Sequence, residues 1–218
     1  MYHHPHNYFQ QQPVPREMTV TGNAEVDAQP DYVQIQIEVR TEGEDVSRAQ
    51  EQNAIIMNRV ISALLALNIP RENIQTTAYT ISPNYDYIEG RQVFRGYEVQ
   101  NAITVKIMDI SQAGIVIDTA IQNGANHVSS IQFKVDGTDA YYERALNLAL
   151  INAIAKAESM AETMHVYLQP IPIEIVEESQ IVTPIPYKMV QMSNQEISTP
   201  IEPGSIPVSA SVRVKFRF

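Results

Sequence analysis

The 218-residue chain contains no cysteine, so neither a disulfide nor a thiolate nucleophile or metal ligand contributes to its fold or chemistry. Cysteine usage therefore gives no indication of redox compartment. Cations are also in short supply. Fifteen Lys and Arg against 25 Asp and Glu leave a formal charge of -10 and an isoelectric point near 4.9. Neutralising phosphates requires a surplus of positive side chains on one face, so the balance argues against general nucleic-acid binding and disfavours anionic membrane surfaces. The longest apolar run, Val60 to Leu67 with Ser62 inside it, falls far short of the roughly 20 residues that cross a bilayer as a helix. The common serine-hydrolase, P-loop and dinucleotide fingerprints are missing as well. These absences point to a non-enzyme with no cofactor and no metal.

What the chain does have is apolar bulk. A 44% hydrophobic content over this length suffices for one substantial core or two small fused ones, burying roughly 70% of the unfolded surface. Residues 1–16, with His3, His4, Pro5, His6, Pro13, Pro15 and three consecutive glutamines, read as a flexible N-terminal tail. No basic start followed by an apolar segment precedes the core, so the expected location is cytoplasmic.

Beyond the tail, period-two alternation marks strands and a three-to-four spacing marks helices. Met18 to Ala28 alternates, Gln29-Pro30-Asp31 supplies turn residues, and Val33, Ile35, Ile37 and Val39 alternate again; the pair is expected to form an antiparallel hairpin. Asp45 or Ser47 can cap a long helix through Ala49, Ile56, Val60 and Leu64 that Asn68 and Pro70 end. Strands follow at Ile74 to Ser82 and Tyr97 to Met108, then a short helix opened by Ser111, a strand through Ile131 and Phe133, and the longest helix, from Gly137-Thr138-Asp139 to about Val166. That helix carries alanines at 145, 149, 153, 157 and 161, which stack on one side and permit close approach. Ile171, Ile173 and Ile175 read as a strand ending at Glu177-Glu178, a Pro-rich excursion covers 179–204, and Val208 to Phe218 closes the chain as a strand. The expected class is α+β, with largely antiparallel sheets, three helices packed on one face, and two fused lobes as one possible division.

The segment from Pro83 to Asn101 adds Pro83-Asn84-Tyr85-Asp86-Tyr87 and Gly96-Tyr97-Glu98-Val99-Gln100-Asn101, which suit a shaped turn between two strands. Thr19-Val20-Thr21-Gly22 before Pro30-Asp31, Ile74-Gln75-Thr76, Gly124-Ala125-Asn126 before Phe133, Lys156-Ala157 in the alanine-rich helix, and Pro203-Gly204 before the last strand complete a set whose order is specific. Over residues 18–218 the chain resembles the SIMPL-domain family, a bacterial group of unknown function that includes a periplasmic immunogen and the mammalian kinase-associated protein behind its name. Ala24 departs from the second glycine that members often carry. The resemblance implies a SIMPL-like domain over 17–218, no established enzymatic activity, and a homo-oligomer.

Candidate sites are few. His3, His4 and His6 are interrupted by Pro5, and His127 and His165 lie at element ends without ligand-spaced companions; the last two read as capping or packing residues. Asp86 and Glu89 read as solvated loop acids rather than a catalytic pair. Tyr85, Tyr87, Tyr97 and Asn101 form a candidate ligand shelf. Arg213, Lys215 and Arg217 make one basic strand face, with Glu174, Glu177 and Glu178 as the nearest acidic cluster. Cross-strand pairing of Glu174 and Glu178 with that face would fix register within the subunit or at a neighbour. The resulting expectation is a non-catalytic, self-associating protein with a scaffolding or stress-protection role, associating through sheet edges and the Pro-rich excursion. The alternatives are a small-ligand-binding module at the tyrosines and, third, an enzyme of unknown class.

Overall fold

The computed structural model of the protein describes residues 16–182 and 199–218. Their order is β1 (Glu17–Ala28), β2 (Tyr32–Gly43), α1 (Val46–Ala66), β3 (Ile74–Ile88), β4 (Arg91–Ile107), α2 (Ala113–Gln122), β5 (His127–Lys134), α3 (Thr138–Thr163), β6 (Glu174–Val182) and β7 (Ile206–Arg217). The α+β class holds, with two antiparallel sheets of order β1-β7-β6 and β3-β4-β2-β5. The chain divides into two compact units, one of residues 16–27, 138–182 and 207–218 and the other of 28–137 and 199–206.

In the larger unit, β2 is central, antiparallel to both β4 and β5. Its alternating Val33, Ile35, Ile37 and Val39 are fully buried against Val60 and Leu64 of α1 and Val116 of α2. Asp45 caps α1, its Oδ1 accepting from the backbone N–H of Ser47 and Arg48. The cap of the next helical stretch is Asp109, which accepts from Ser111 N–H, rather than Ser111 itself; a carboxylate one residue before the turn is better placed to receive the first free N–H groups.

In the smaller unit, the five alanines of α3 are all buried with Met18, Val20, Val212, Val214 and Phe216. Gly22 lets β1 and α3 approach: a Cβ there would lie 2.0 Å from the Ala149 carbonyl oxygen.

Three expectations are corrected. β1 and β2 do not form a hairpin. They belong to different sheets, β1 pairing with β7, where Phe218 N–H donates to Arg16 O. The segment Pro83 to Tyr87 is not a turn but ladder, since β3 and β4 remain paired to Ile88↔Arg91. The turn is Glu89-Gly90, both with positive φ, as a two-residue hairpin that follows the strand twist requires. Finally, β6 begins after Pro172 and runs through Glu177-Glu178. Proline has no N–H to give the ladder; the first donor after it, Ile173, bonds Lys215 O.

Candidate functional site

Register and alternation fix which side chains of the β3–β4 hairpin share a face. Ile81 opposes Val99, Pro83 opposes Tyr97 and Tyr85 opposes Phe94, with an irregularity after Asn84 that accommodates Arg95. Phe94 meets Tyr85 edge-on at 5.7 Å between centroids and Tyr97 at 5.3 Å, the T-shaped geometry that aromatic quadrupoles favour. Tyr85 and Tyr97 are thus joined through Phe94, a residue the sequence pattern did not single out. Tyr87 lies further toward the tip and is 77% exposed. Asn101 stands apart, in register with Tyr79 and Val39, four residues or about 13 Å along the strand from Tyr97. The four candidate residues therefore share a ribbon but do not converge on one point.

On the other face Arg95 lies 3.6 Å from Asp86 and 3.7 Å from Glu42, so Asp86 faces a cation and not a second acid.

Beneath α1 lies a polar pair that alternation hides. Asn53 falls on the buried stripe of Ala49, Met57, Val60 and Leu64, is fully buried, and its Nδ2 donates to the carbonyls of Val39 and Val99 at 2.8 and 3.1 Å. Its Oδ1 and that of Asn101 are buried without a partner. A polar residue at an apolar helix position is the signal that marks Asn53 in sequence.

Among the described residues of this unit Glu38 is the most enclosed carboxylate, 2% exposed. It accepts from Arg40 Nη2 at 2.7 Å, Arg40 Nε at 3.1 Å and Gln100 Nε2 at 2.9 Å. Burial acts to raise its pKa, but hydrogen bonds from Ser129 and Arg40 and the charges of Arg40 and His127 outweigh it and hold the carboxyl below its ordinary value. A carboxylate committed to permanent donors is a structural anion rather than a proton shuttle.

In the smaller unit, Glu174 is in register with Lys215, and Glu178 with Ser211 beside Arg213. Lys215 Nζ lies 2.8 Å from Glu174, Arg213 bonds Glu178, and Ser211 Oγ also donates to Glu178. The charge pairing therefore exists within the chain. Glu177 turns the other way, accepting from the Tyr142 hydroxyl at 2.6 Å. Arg217 contributes its carbonyl to Gln169 N–H. Beside β1 an open groove runs along α3, bridged by Lys156 Nζ donating to Thr21 O at 2.9 Å.

The Pro-rich excursion is described only at its ends. Thr199 is held by Asp118 of α2, through N–H to Oδ2 at 3.0 Å and Oγ1 to Oδ1 at 2.6 Å, and Ile201 packs on the core; residues 183–198, and His3, His4 and His6, lie outside the described residues. Among the described residues no group of three or more His, Asp or Glu is placed to hold a metal. No described helix is long and apolar enough to cross a membrane.

Fold and side chains thus define a two-unit α+β protein in which Glu38, Glu174 and Glu178 are each paired with a cation of their own unit. The chain belongs to the SIMPL family, described as a protein of unknown function (DUF541), whose profile matches residues 18–216. It is 29% identical over 154 residues to the uncharacterized protein YggE of Escherichia coli K12, an alignment covering 71% of this chain and 63% of YggE. It is also 26% identical over 212 residues to the 26 kDa periplasmic immunogenic protein of Brucella melitensis, covering 93% of this chain and 84% of that one. The YggE of Edwardsiella ictaluri matches at 25% over 155 residues, with 71% and 65% coverage. The chain therefore spans slightly less than two thirds of the length of the E. coli relative. The expected cytoplasmic location is overturned by these matches, because a relative aligned along nearly the whole chain is periplasmic.

Proposed function

We propose that this is a non-catalytic, self-associating SIMPL-domain protein of the periplasm, with a scaffolding or stress-protection role. The observation that carries the reading is the state of the sheet edges. β6 borders its sheet and exposes Ile175 and Val176, with Ile173 exposed just before it, and an edge strand with apolar side chains is a template for a further strand. The donors around Glu38 support a non-catalytic role, because Arg40 and Gln100 hold its Oε2 and favour the carboxylate over the acid. Light scattering after size exclusion on the full chain, at several concentrations, tests association: a discrete multimer is expected. Ile175→Lys should lower its native mass, since a charge on the edge opposes pairing. An unchanged mass would remove the β6 edge from the reading, and a monomer throughout would remove self-association.

A second reading, a small-ligand module, draws on the exposed Tyr85–Phe94–Tyr97 cluster. Under it, Tyr85→Phe with Tyr97→Phe weakens ligand-dependent thermal shifts at unchanged native mass.

A further inference from the structure

The β3–β4 hairpin outruns its sheet. β2 accompanies β4 from Val33↔Ile107 only to Gly43↔Tyr97, while β3 and β4 stay paired five registers longer toward the tip, to Ile88↔Arg91. Among the described residues, 84–96 therefore form a two-stranded arm without a third strand. A lone two-stranded ribbon is marginal in water and needs something to pack on.

The arm is two-faced. Alternation places Ile81, Pro83, Tyr85 and Tyr87, with Tyr97 and Phe94 opposite, on the side where Val99, Ile103 and Val105 are fully buried under α1. Past Val99 that same side has lost its cover: Ile81, Tyr85, Tyr87 and Phe94 are all exposed, Phe94 by 48%. The reverse side carries Asp86, Arg95 and Val93, with Arg95 near Asp86 and Glu42. The aromatic strip is thus the core face of the sheet continued into solvent, and a contiguous exposed apolar strip marks an interaction surface.

The charges select the partner. The chain carries -10 overall, so two copies repel over most of their surface. The arm is the exception: Asp86 and Glu89 balance Arg91 and Arg95. Two arms laid antiparallel about a two-fold axis present the same patch to each other, and neither arm brings a net charge to the contact.

We infer that the aromatic face of the β3–β4 arm docks on the same face of a second copy. This rests on the self-association reading and gives it a surface distinct from the β6 edge. Phe94 and Tyr85 are the central anchors, because aromatics in a desolvated centre carry most of an interface's energy.

The chain's lack of cysteine makes the test clean. In the full-length protein Tyr87→Cys supplies a single thiol at the arm, and Glu158→Cys supplies one on the exposed side of α3. A flexible bis-maleimide cross-linker spanning about 15 Å, matched to the roughly 13 Å that the antiparallel pairing sets between the two Tyr87 positions, should link Tyr87→Cys into a covalent dimer and leave Glu158→Cys largely unlinked. Adding Phe94→Ser should abolish the link and weaken association about tenfold or more by native mass, with an unchanged circular dichroism melt showing that the fold survives. Arg91→Glu, which alters only charge, should weaken association less, and mostly at low salt. Equal linking of both thiols, or a multimer indifferent to Phe94→Ser and Tyr85→Ser, overturns the arm while leaving self-association standing. A wild-type monomer at every concentration overturns both. A small molecule that shifts the melt through Tyr85 and Phe94 without changing native mass replaces the second copy with a ligand.

Discussion

The two units solve the same packing problem with opposite materials. In the smaller, α3 presents five buried alanines, and Gly22 of β1 lies so near that a Cβ would meet Ala149 O at 2.0 Å; the spacing between helix and sheet is set by the absence of side chains. In the larger, Val33, Ile35, Ile37 and Val39 meet Val60, Leu64, Ile103 and Val105, and the spacing is set by branched side chains that interlock. A close-packed interior forbids both voids and excess volume, but each unit stands at a different margin. The larger unit is vulnerable to truncation and the smaller to enlargement.

The largest expected effect is Ile35→Ala, which removes three heavy atoms from a fully buried central strand and costs about 2–5 kcal/mol. The same loss of volume has little to act on in the smaller unit: Ala153→Gly forfeits one methyl and about 1 kcal/mol of helix propensity. The reciprocal change inverts the ranking. Gly22→Ala inserts a Cβ against backbone that cannot rotate away, for about 1–3 kcal/mol or more. Urea unfolding with hydrogen exchange resolved by unit checks both, since two units need not unfold as one transition. A neutral Gly22→Ala, or an Ala153→Gly as costly as Ile35→Ala, would break the comparison.

The elements themselves were legible because their periods are strong. Element order, α3 with its alanine row, and β7 all follow from alternation and four-residue spacing, and β7 spans Ile206–Arg217 where the pattern places it. Partner choice was not legible. β1 alternates as cleanly as β2, and Gln29-Pro30-Asp31 is a plausible hairpin turn, so nothing local tells that β1 pairs with a strand at the far end of the chain. The arm was misread for a chemical reason: Pro83, Asn84 and Asp86 are turn formers, whereas the turn uses Glu89, a residue that seldom takes a positive φ. Of the candidate site, the tyrosines and the facing charged groups of Glu174 and Glu178 and of Arg213, Lys215 and Arg217 could be named from the sequence, but not which acid meets which cation. The link through Phe94 and the burial of Asn53 could not, because each depends on which neighbour tertiary structure supplies.

The comparison extends to charge. The larger unit encloses a carboxylate, Glu38, at 2% exposure with three donated hydrogen bonds from Arg40 and Gln100, while the smaller displays its ion pairs on the surface. Glu38→Gln keeps the shape and removes the charge, leaving Arg40 without its anion; a cost of about 1.5–3 kcal/mol is expected at neutral pH. The folded-state pKa of Glu38 lies below its ordinary value, so its contribution is complete above the unfolded-state value of about 4.3 and is lost as pH falls through the lower folded one. The wild type and Glu38→Gln should therefore converge in stability at acid pH. A gap in urea midpoint that stays constant down the titration would show that the charge is not what the site uses.

The smallest effect is expected at Lys215, although it makes the better-formed surface pair, 2.8 Å from Glu174 and 3.9 Å from Glu17. Its hydrogen bond to Glu174, and then the charge of that carboxylate, raise the Lys215 pKa, and the same bond lowers that of Glu174. The signs agree: the carboxylate's contribution is lost as pH falls through its lowered folded value, the ammonium's as pH rises through its raised one, and both are present at neutrality. Both groups are nevertheless well hydrated, and the Debye length shrinks to about 3 Å in 1 M salt. Lys215→Ala should thus destabilise far less than Glu38→Gln, by an amount that disappears in high salt, whereas the Glu38 effect persists. What the pair supplies is register, because Glu174↔Lys215 and Ile175↔Val214 lie before the irregularity that follows Glu178, and a one-residue slip would turn Val214 out of the core. The charge-swapped Glu174→Lys with Lys215→Glu should then restore the wild-type exchange protection of β6 that either single reversal lowers. Failure of the swap to restore it would assign the register to the alternating core residues of β7 alone.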